Sequence, residues 1–274
     1  MIRFIMKNAL KNPHLSSKEM AQEFSSVFSE SISPSYLRKI LVKRGIRSYK
    51  AIKKPYLTKR MVQKRKYFAD SMIDKPDEFW KDVFFSDETY IEINFGSVIN
   101  RVRRFSSSDP INQKFLKNTV KFPTKVMLWG CINYNGAGLL KICEGTMNSA
   151  KYKQVLESKL LPSIQKFSIS NPIHLDDSAP CHRTNEIKAW HSQNGIQKID
   201  WPGNSPDLNP IENLWSILKY KIKRRPINSK IKLIEEIKKI WDNEISQELC
   251  ANLVMSMPKR LAEVKKCKGK ITKY

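Results

Sequence analysis

Three carboxylates are placed where they could bind metal together. Asp87 closes the short apolar run Val83-Phe84-Phe85-Ser86, and Asp177 follows the run Pro172-Ile173-His174-Leu175-Asp176. Glu212 lies in the first turn of a helix that the pattern predicts from Ile211, and 34 residues separate it from Asp177. Mg²⁺ is a hard cation held by a few carboxylate oxygens, with water and substrate phosphate completing its shell. Two such ions about 3.5–4 Å apart can activate an attacking oxygen and stabilise a leaving oxygen in phosphodiester cleavage. Each acid also has a plainer role when taken alone. Asp87 could be a surface turn residue, and Glu212 could simply favour the helix dipole. Asp176 and Asp177 compete for one position, because strand alternation turns only one of them toward a pocket. The constellation carries the expectation of a metal site, and no single member does.

The remainder of the chain is strongly basic. Fifty Lys and Arg stand against 26 Asp and Glu in 274 residues, a formal charge of +24. That excess favours a polyanionic partner, with nucleic acid the first candidate and a ribosomal or membrane-surface role the alternative. The charge is concentrated: residues 1–66 hold 17 bases and 3 acids, and seven more bases fall between Lys259 and Lys273. Five scattered cysteines form no Cys-x-x-Cys pair, so neither a disulfide framework nor a zinc ribbon is implied. His174, Cys181, His182 and His191 match no tetrahedral zinc spacing. His182, five residues past Asp177, is instead expected near substrate phosphate or orienting a ligand. The start MIRFIMKNALKN lacks a signal-peptide core, and no apolar run approaches the ~20 residues that span a bilayer. A soluble, intracellular protein is expected.

Three short helices fit residues 1–45. The first covers about Ile2 to Lys11. The second opens on a Ser16/Glu19 capping box, and the third on Ser33 with Pro34 at its first position. Three such helices with a basic third one suit a helix-turn-helix DNA-binding domain over 1–50. Its DNA-contacting residues would be Ser35, Tyr36, Arg38, Lys39, Lys43 and Arg44, continued by Arg47 and Lys50. Residues 51–78 read as a basic linker with a helix from Thr58 to about Met72. From Phe79 to 274 strands alternate with helices, an α/β pattern. Strands are expected at Val83–Ser86, Tyr90–Asn94, Lys125–Tyr134, Gly138–Glu144, Pro172–Asp176 and Ile196–Ile199, with a further hairpin over Val98–Phe105. Asn135-Gly136 is the strongest hairpin signal, and Trp129-Gly130 reads as core followed by a turn. Helices are expected at Asn148–Phe167, Arg183–Gln193, Ile211 to about Arg224, and roughly Ile231 to Met255.

Four motifs together resemble the Tc/mariner superfamily of DNA transposases. They are Phe85-Ser86-Asp87-Glu88, Leu128-Trp129-Gly130-Cys131, Asp177-Ser178-Ala179-Pro180-Cys181-His182, and the run WPGNSPDLNPIENLW from Trp201 to Trp215. The 34-residue interval is similar to that of the Tc branch, of Asp-Asp-Glu type. This resemblance implies an RNase H-like catalytic domain, a mixed sheet flanked by helices, behind helix-turn-helix modules. It implies cleavage at terminal inverted repeats and attack of the freed 3′-OH on a TA target. Asp87, Asp177 and Glu212 would be the catalytic, metal-holding carboxylates, with two Mg²⁺ or Mn²⁺ ions. Double-stranded DNA would be the partner, a homodimer the synaptic assembly, and the nucleus the location. The alternative is a catalytically decayed or domesticated sequence-specific DNA-binding protein. Two departures stand out. The family's Gln-Asp-Asn is Asp176-Asp177-Ser178 here, and the chain is expected to lack the first of two N-terminal helix-turn-helix modules.

Overall fold

The computed structural model describes residues 1–49, 54–92, 125–177 and 179–274. The expected Val98–Phe105 hairpin, Lys50 and Ser178 lie outside the described residues. The chain divides into two compact units, Met1–Lys54 and Pro55–Tyr274.

The first unit contains α1 (Ile2–Lys11), α2 (Ser17–Phe28) and α3 (Pro34–Lys43). Local chemistry sets the starts of α2 and α3. The Glu19 amide donates to Ser16 Oγ at 3.2 Å while the Ser16 amide donates to Glu19 Oε2 at 2.7 Å, closing a capping box. Ser33 accepts from the Tyr36 amide at 3.2 Å, and Pro34 sits where no amide donor is needed. Ile5, Met20, Phe24, Leu37, Ile40 and Leu41 are buried between the three helices.

The second unit opens with α4 (Lys59–Met72), capped by Thr58, and α5 (Asp77–Lys81). Its sheet contains β1 (Val83–Glu92), β2 (Lys125–Asn133), β3 (Gly136–Ala137), β4 (Lys141–Cys143), β5 (Ile173–Leu175) and β6 (Gln197–Lys198). The strand order is β3-β2-β1-β5-β6, with β4 also paired to β2. β1 is antiparallel to β2 and parallel to β5, and β5 is parallel to β6. The helices are α6 (Ser149–Val155) and α7 (Leu161–Lys166), α8 (Asn185–Gln193), α9 (Ile211–Ile222), α10 (Lys230–Asn243), α11 (Gln247–Val254) and α12 (Met257–Lys266). A π turn over Leu156–Leu160 joins α6 to α7 just before Pro162, which has no amide to continue the ladder. An all-α N-terminal region followed by a mixed sheet flanked by helices is the expected fold class.

Alternation along β1 and β2 sends side chains to two apolar layers. Phe85, Leu128 and Ile132 pack with Leu214, Trp215, Leu218, Ile237 and Trp241 of α9 and α10. Phe84, Trp129 and Cys131 pack with Tyr152, Leu156, Leu160, Ile187 and Trp190 on the other side.

Several boundaries differ from expectation. The two strands anticipated around Asp87 are one ten-residue strand, because β2 supplies an unbroken ladder from Phe85↔Ile132 to Glu92↔Lys125. Gly130 lies within β2 rather than in a turn. A Cβ there would approach the ring tips of Trp215 and Trp241 to 2.8 Å each, so glycine is what admits both indoles onto the sheet. Of the strand expected at Gly138–Glu144 only Lys141–Cys143 forms, as β4, while β3 lies just before that range. The single helix expected over Ile231–Met255 is two, α10 and α11, since Ser246 caps a new start through the Leu249 amide; α12, with Pro258 near its start, follows beyond that range.

Candidate active site

Topology brings the two strand-borne acids side by side. Asp87 lies mid-way along β1 opposite Gly130, and β5 runs parallel to β1 with Asp176 and Asp177 just past its end. Asp87 points to the face that carries α9, the helix with Glu212 in its first turn. Burial pushes the Asp87 carboxyl well above the usual carboxylate range, and the charges of Glu212, Glu88 and Asp177 push it in the same direction. The fold therefore assembles a half-buried group of like charges around Asp87.

Glu88 alternates to the opposite face, where His182 lies. His182 Nδ1 is 2.8 Å from Asp177 Oδ1, and its Nε2 is 3.6 Å from Glu88 Oε1. Burial alone would lower the imidazole. The Asp177 and Glu88 carboxylates overcome this and raise it to about 11. Burial likewise raises Asp177, but its bond and ion pair with His182 leave it below its ordinary value. One donor atom from each of Glu88, Asp177 and His182 lies within 4.8 Å of the other two. This trio is more compact than any expected from sequence, and it shares only Asp177 with the anticipated set. Glu88 was missed as a member. Its signal was its place directly after Asp87, read only as part of a motif.

The competition between Asp176 and Asp177 has a structural answer. Asp176 is buried and accepts from Tyr152 Oη at 2.7 Å and Lys198 Nζ at 2.9 Å, whereas the Asp177 side chain is 56% exposed. A hydrogen-bond chain braces the same strands. His191 Nδ1 donates to the Ile187 carbonyl at 2.8 Å, so its Nε2 accepts from His174 Nδ1 at 2.9 Å. His174 Nε2 then accepts from Ser86 Oγ at 2.8 Å. Burial holds His174 well below its ordinary value, which keeps it neutral in this chain.

The proline-rich run positions Glu212 through its polar side chains. Asn209 Nδ2 donates to the Ser86 carbonyl at 3.2 Å, tying the loop to β1 beside Asp87. Asp207 accepts both Arg65 Nη atoms, at 2.8 and 2.7 Å, in a pair buried on both sides. Arg260 donates to the Asp207 carbonyl and to Asn213 Oδ1, both at 2.7 Å.

The donor set suits a hard divalent cation. It is mainly carboxylate oxygen, Asp87 is raised by burial and then by neighbouring negative charge, and Glu88 Oε1 is a buried acceptor without a hydrogen-bond partner among the described residues. In the first unit, Ser35, Tyr36, Arg38, Lys39, Lys43 and Arg44 are all exposed on α3 or at its end, as is Arg47, while Leu37, Ile40 and Leu41 face the core.

Comparison with known proteins follows these features. Residues 83–234, more than half of the chain, match a family profile described as DDE superfamily endonuclease. Residues 2–74 match a helix-turn-helix profile described as Transposase. That match overturns the expectation of a missing N-terminal module: such a module is present, built from the helices capped at Ser16 and Ser33. Periodicity reveals helices, but their place in a family's module order rested on resemblance alone. The chain is 26% identical to the transposable element Tc1 transposase of Caenorhabditis elegans across the full length of both. It is 30% identical to the Tc3 transposase of the same organism over 71% of this chain and 59% of the relative. The fold is similar to that of the Mos1 transposase in its strand transfer complex, with a TM-score of 0.83, 17% identity, and coverage of 100% of this chain and 79% of the other. On the match across its sheet and α9, with an N-terminal helix-turn-helix, this chain belongs to the DDE superfamily endonucleases.

Proposed function

We propose that this chain is a cut-and-paste DNA transposase. It cleaves DNA at the terminal inverted repeats of its element and joins the freed 3′-OH to a TA target. The observation that carries this reading is Asp87, set mid-way along β1 with Asp177 just past the end of the adjacent β5, its carboxyl raised by burial and then by the charges of Glu212, Glu88 and Asp177. Asp87, Asp177 and Glu212 would hold two divalent ions, Mg²⁺ or Mn²⁺, which when bound supply Lewis acidity at the attacking and leaving oxygens. Mos1 transposase paired-end complexes solved with Mg and with Mn support that choice.

The chain's own residues prepare the site. β1 presents Asp87 from a rigid ladder, and Asn209 ties the approach to Glu212 to that strand. His182, cationic at neutral pH, orients the Asp177 carboxylate. Lys198 and Tyr152 engage Asp176 and keep it out of the acidic group. Ser35, Tyr36, Arg38 and Lys39 would enter a major groove, with Lys43, Arg44, Arg47 and Lys50 along the phosphates. Double-stranded DNA is the partner, a homodimer joins two ends, and the reaction takes place in the nucleus. The Mos1 paired-end and strand transfer complexes support the paired assembly.

The test incubates purified chain and Mg²⁺ or Mn²⁺ with labelled duplex ending in the element's inverted repeat and a plasmid containing TA sites. Repeat-dependent nicking and joined product at TA are expected, with DNA affinity falling steeply as salt rises. Preferential cleavage of an RNA–DNA hybrid would overturn the proposal.

A further inference from the structure

The C-terminal tail after α12 folds back onto the proline-rich run. Both the amide and the hydroxyl of Thr272 donate to Asp207 Oδ2, each at 2.9 Å. Arg65, already paired with that carboxylate, also donates through Nε to the Gly269 carbonyl at 3.0 Å and through Nη2 to the Lys270 carbonyl at 3.3 Å. Gly269 passes so close to α4 that a Cβ would lie 2.2 Å from the Val62 carbonyl oxygen. Its φ of +82° also falls where side chains are disfavoured. Arg260 stacks over the Tyr274 ring at 4.6 Å while donating to the Asp207 carbonyl. Asp207, Arg65, Arg260 and Thr272 are all buried.

Every strong bond that Asp207 makes therefore leads to α4, α12 or the tail. On its other side the chain leads directly to the site: Asn209 holds the Ser86 carbonyl, and Glu212 opens α9. Asp207 is five residues from Glu212, so the tail's hold on Asp207 acts close to that carboxylate along the chain. The Thr272 hydroxyl is not needed to fill the apolar core, which is built from the sheet and the helices. Its bond acts on one carboxylate oxygen and, through it, on the register of the loop.

We propose that Thr272 is a positioning residue for Glu212, and that the tail over 269–274 is a strap setting where that carboxylate meets the metal. The inference rests on Glu212 as a metal-holding residue, but its central measurement does not require cleavage. Thr272→Val removes the hydroxyl and keeps the backbone bond. Thr272→Ser restores the hydroxyl, deletion of 272–274 removes both bonds, and Lys266→Ala, exposed and outside the strap, is the control expected to match the parent. For the parent and each variant, hydrogen–deuterium exchange of residues 203–213, Mn²⁺ affinity by calorimetry, and kcat and KM for DNA cleavage are compared.

Faster exchange over 203–213 is expected in Thr272→Val and more so in the deletion. Mn²⁺ affinity and kcat should fall on the order of tenfold with KM for DNA unchanged, while Thr272→Ser stays near the parent. Unchanged exchange in both Thr272→Val and the deletion overturns the strap. Faster exchange with unchanged Mn²⁺ affinity overturns the positioning role. A chain inactive on DNA would count against the proposed function alone, because exchange and metal binding would still decide the strap.

Discussion

Replacing Asn209 with leucine removes the donor that ties the proline-rich run to β1 and keeps the number and branching of the side-chain heavy atoms. Asn209 is 4% exposed. Its Nδ2 donates to the Ser86 carbonyl at 3.2 Å and its Oδ1 accepts from the Ile211 amide at 3.4 Å. A buried polar group left without its partner costs about 1–3 kcal/mol. The Ser86 contact is the better formed of the two, so a total of about 2 kcal/mol is expected. In a compact unit the size of Pro55–Tyr274, each kcal/mol moves Tm by roughly 2–4 °C, so the midpoint should fall by about 4–8 °C. Activity should suffer more than stability. Asp87 follows Ser86 directly and Glu212 lies three residues past Asn209, so the lost bond loosens the carboxylates relative to each other, and a misplacement of about 1 Å can cost on the order of 100-fold in rate. Thermal melting by circular dichroism and the rate of metal-dependent nicking check both parts. A melting point within about 1 °C of the parent together with an unchanged nicking rate would refute the reasoning.

Other consequences follow from the same geometry. Asp87 is raised in the folded state by burial and by Glu212, Glu88 and Asp177, so in metal-free protein its ionisation opposes folding as pH rises through the raised value. Asp87→Asn should therefore raise Tm in chelator at neutral pH and abolish the rise in Tm that Mn²⁺ gives the parent; differential scanning fluorimetry reads both. Gly130→Ala should destabilise by about 1–3 kcal/mol, because the new methyl group meets Trp215 and Trp241 at 2.8 Å; chemical denaturation measures it. Asp207 has the opposite sign to Asp87. Burial raises its carboxyl, but Arg65 and Thr272 hold it below the ordinary 3.8, so its contribution is fully present above 3.8 and is lost as pH falls through the lowered value. Asp207→Asn should accordingly lower stability at neutral pH and flatten the acid limb of a stability–pH profile followed by urea unfolding.

Local chemistry was the part most legible in the sequence. The capping box at Ser16/Glu19 and the caps at Ser33 and Thr58 involve residues a few positions apart and form as expected; the hairpin signalled by Asn135-Gly136 also forms, with its turn one residue earlier at Tyr134-Asn135 and Gly136 already in β3. Long-range partners were not legible. Asp87 read as a strand end because it closes the apolar run that starts at Val83, whereas the ladder that carries β1 through it comes from β2, 43 residues further along at Gly130. The proline-rich run was visible as a stiff segment before Glu212, yet stiffness says nothing of what holds it. Asp207 is fixed by Arg65, 142 residues away, and by Thr272, 65 residues away. Glu88 and His182 approach each other only because β1 and β5 are adjacent, so neither spacing nor periodicity could pair them. The N-terminal module was legible as three helices, while its expected deficit had no basis in their pattern and was overturned by the match over residues 2–74.

The most direct test of the account compares the parent with Asp87→Asn, Asp177→Asn and Glu212→Gln on one labelled inverted-repeat duplex. DNA binding by gel shift and strand cleavage in Mn²⁺ are measured in the same reactions. Unchanged binding is expected, with cleavage reduced on the order of 100- to 1,000-fold, the loss when a group central to charge stabilisation is removed. Cleavage within about tenfold of the parent in any one of the three variants, with binding intact, would contradict the assignment of that residue to the metal site.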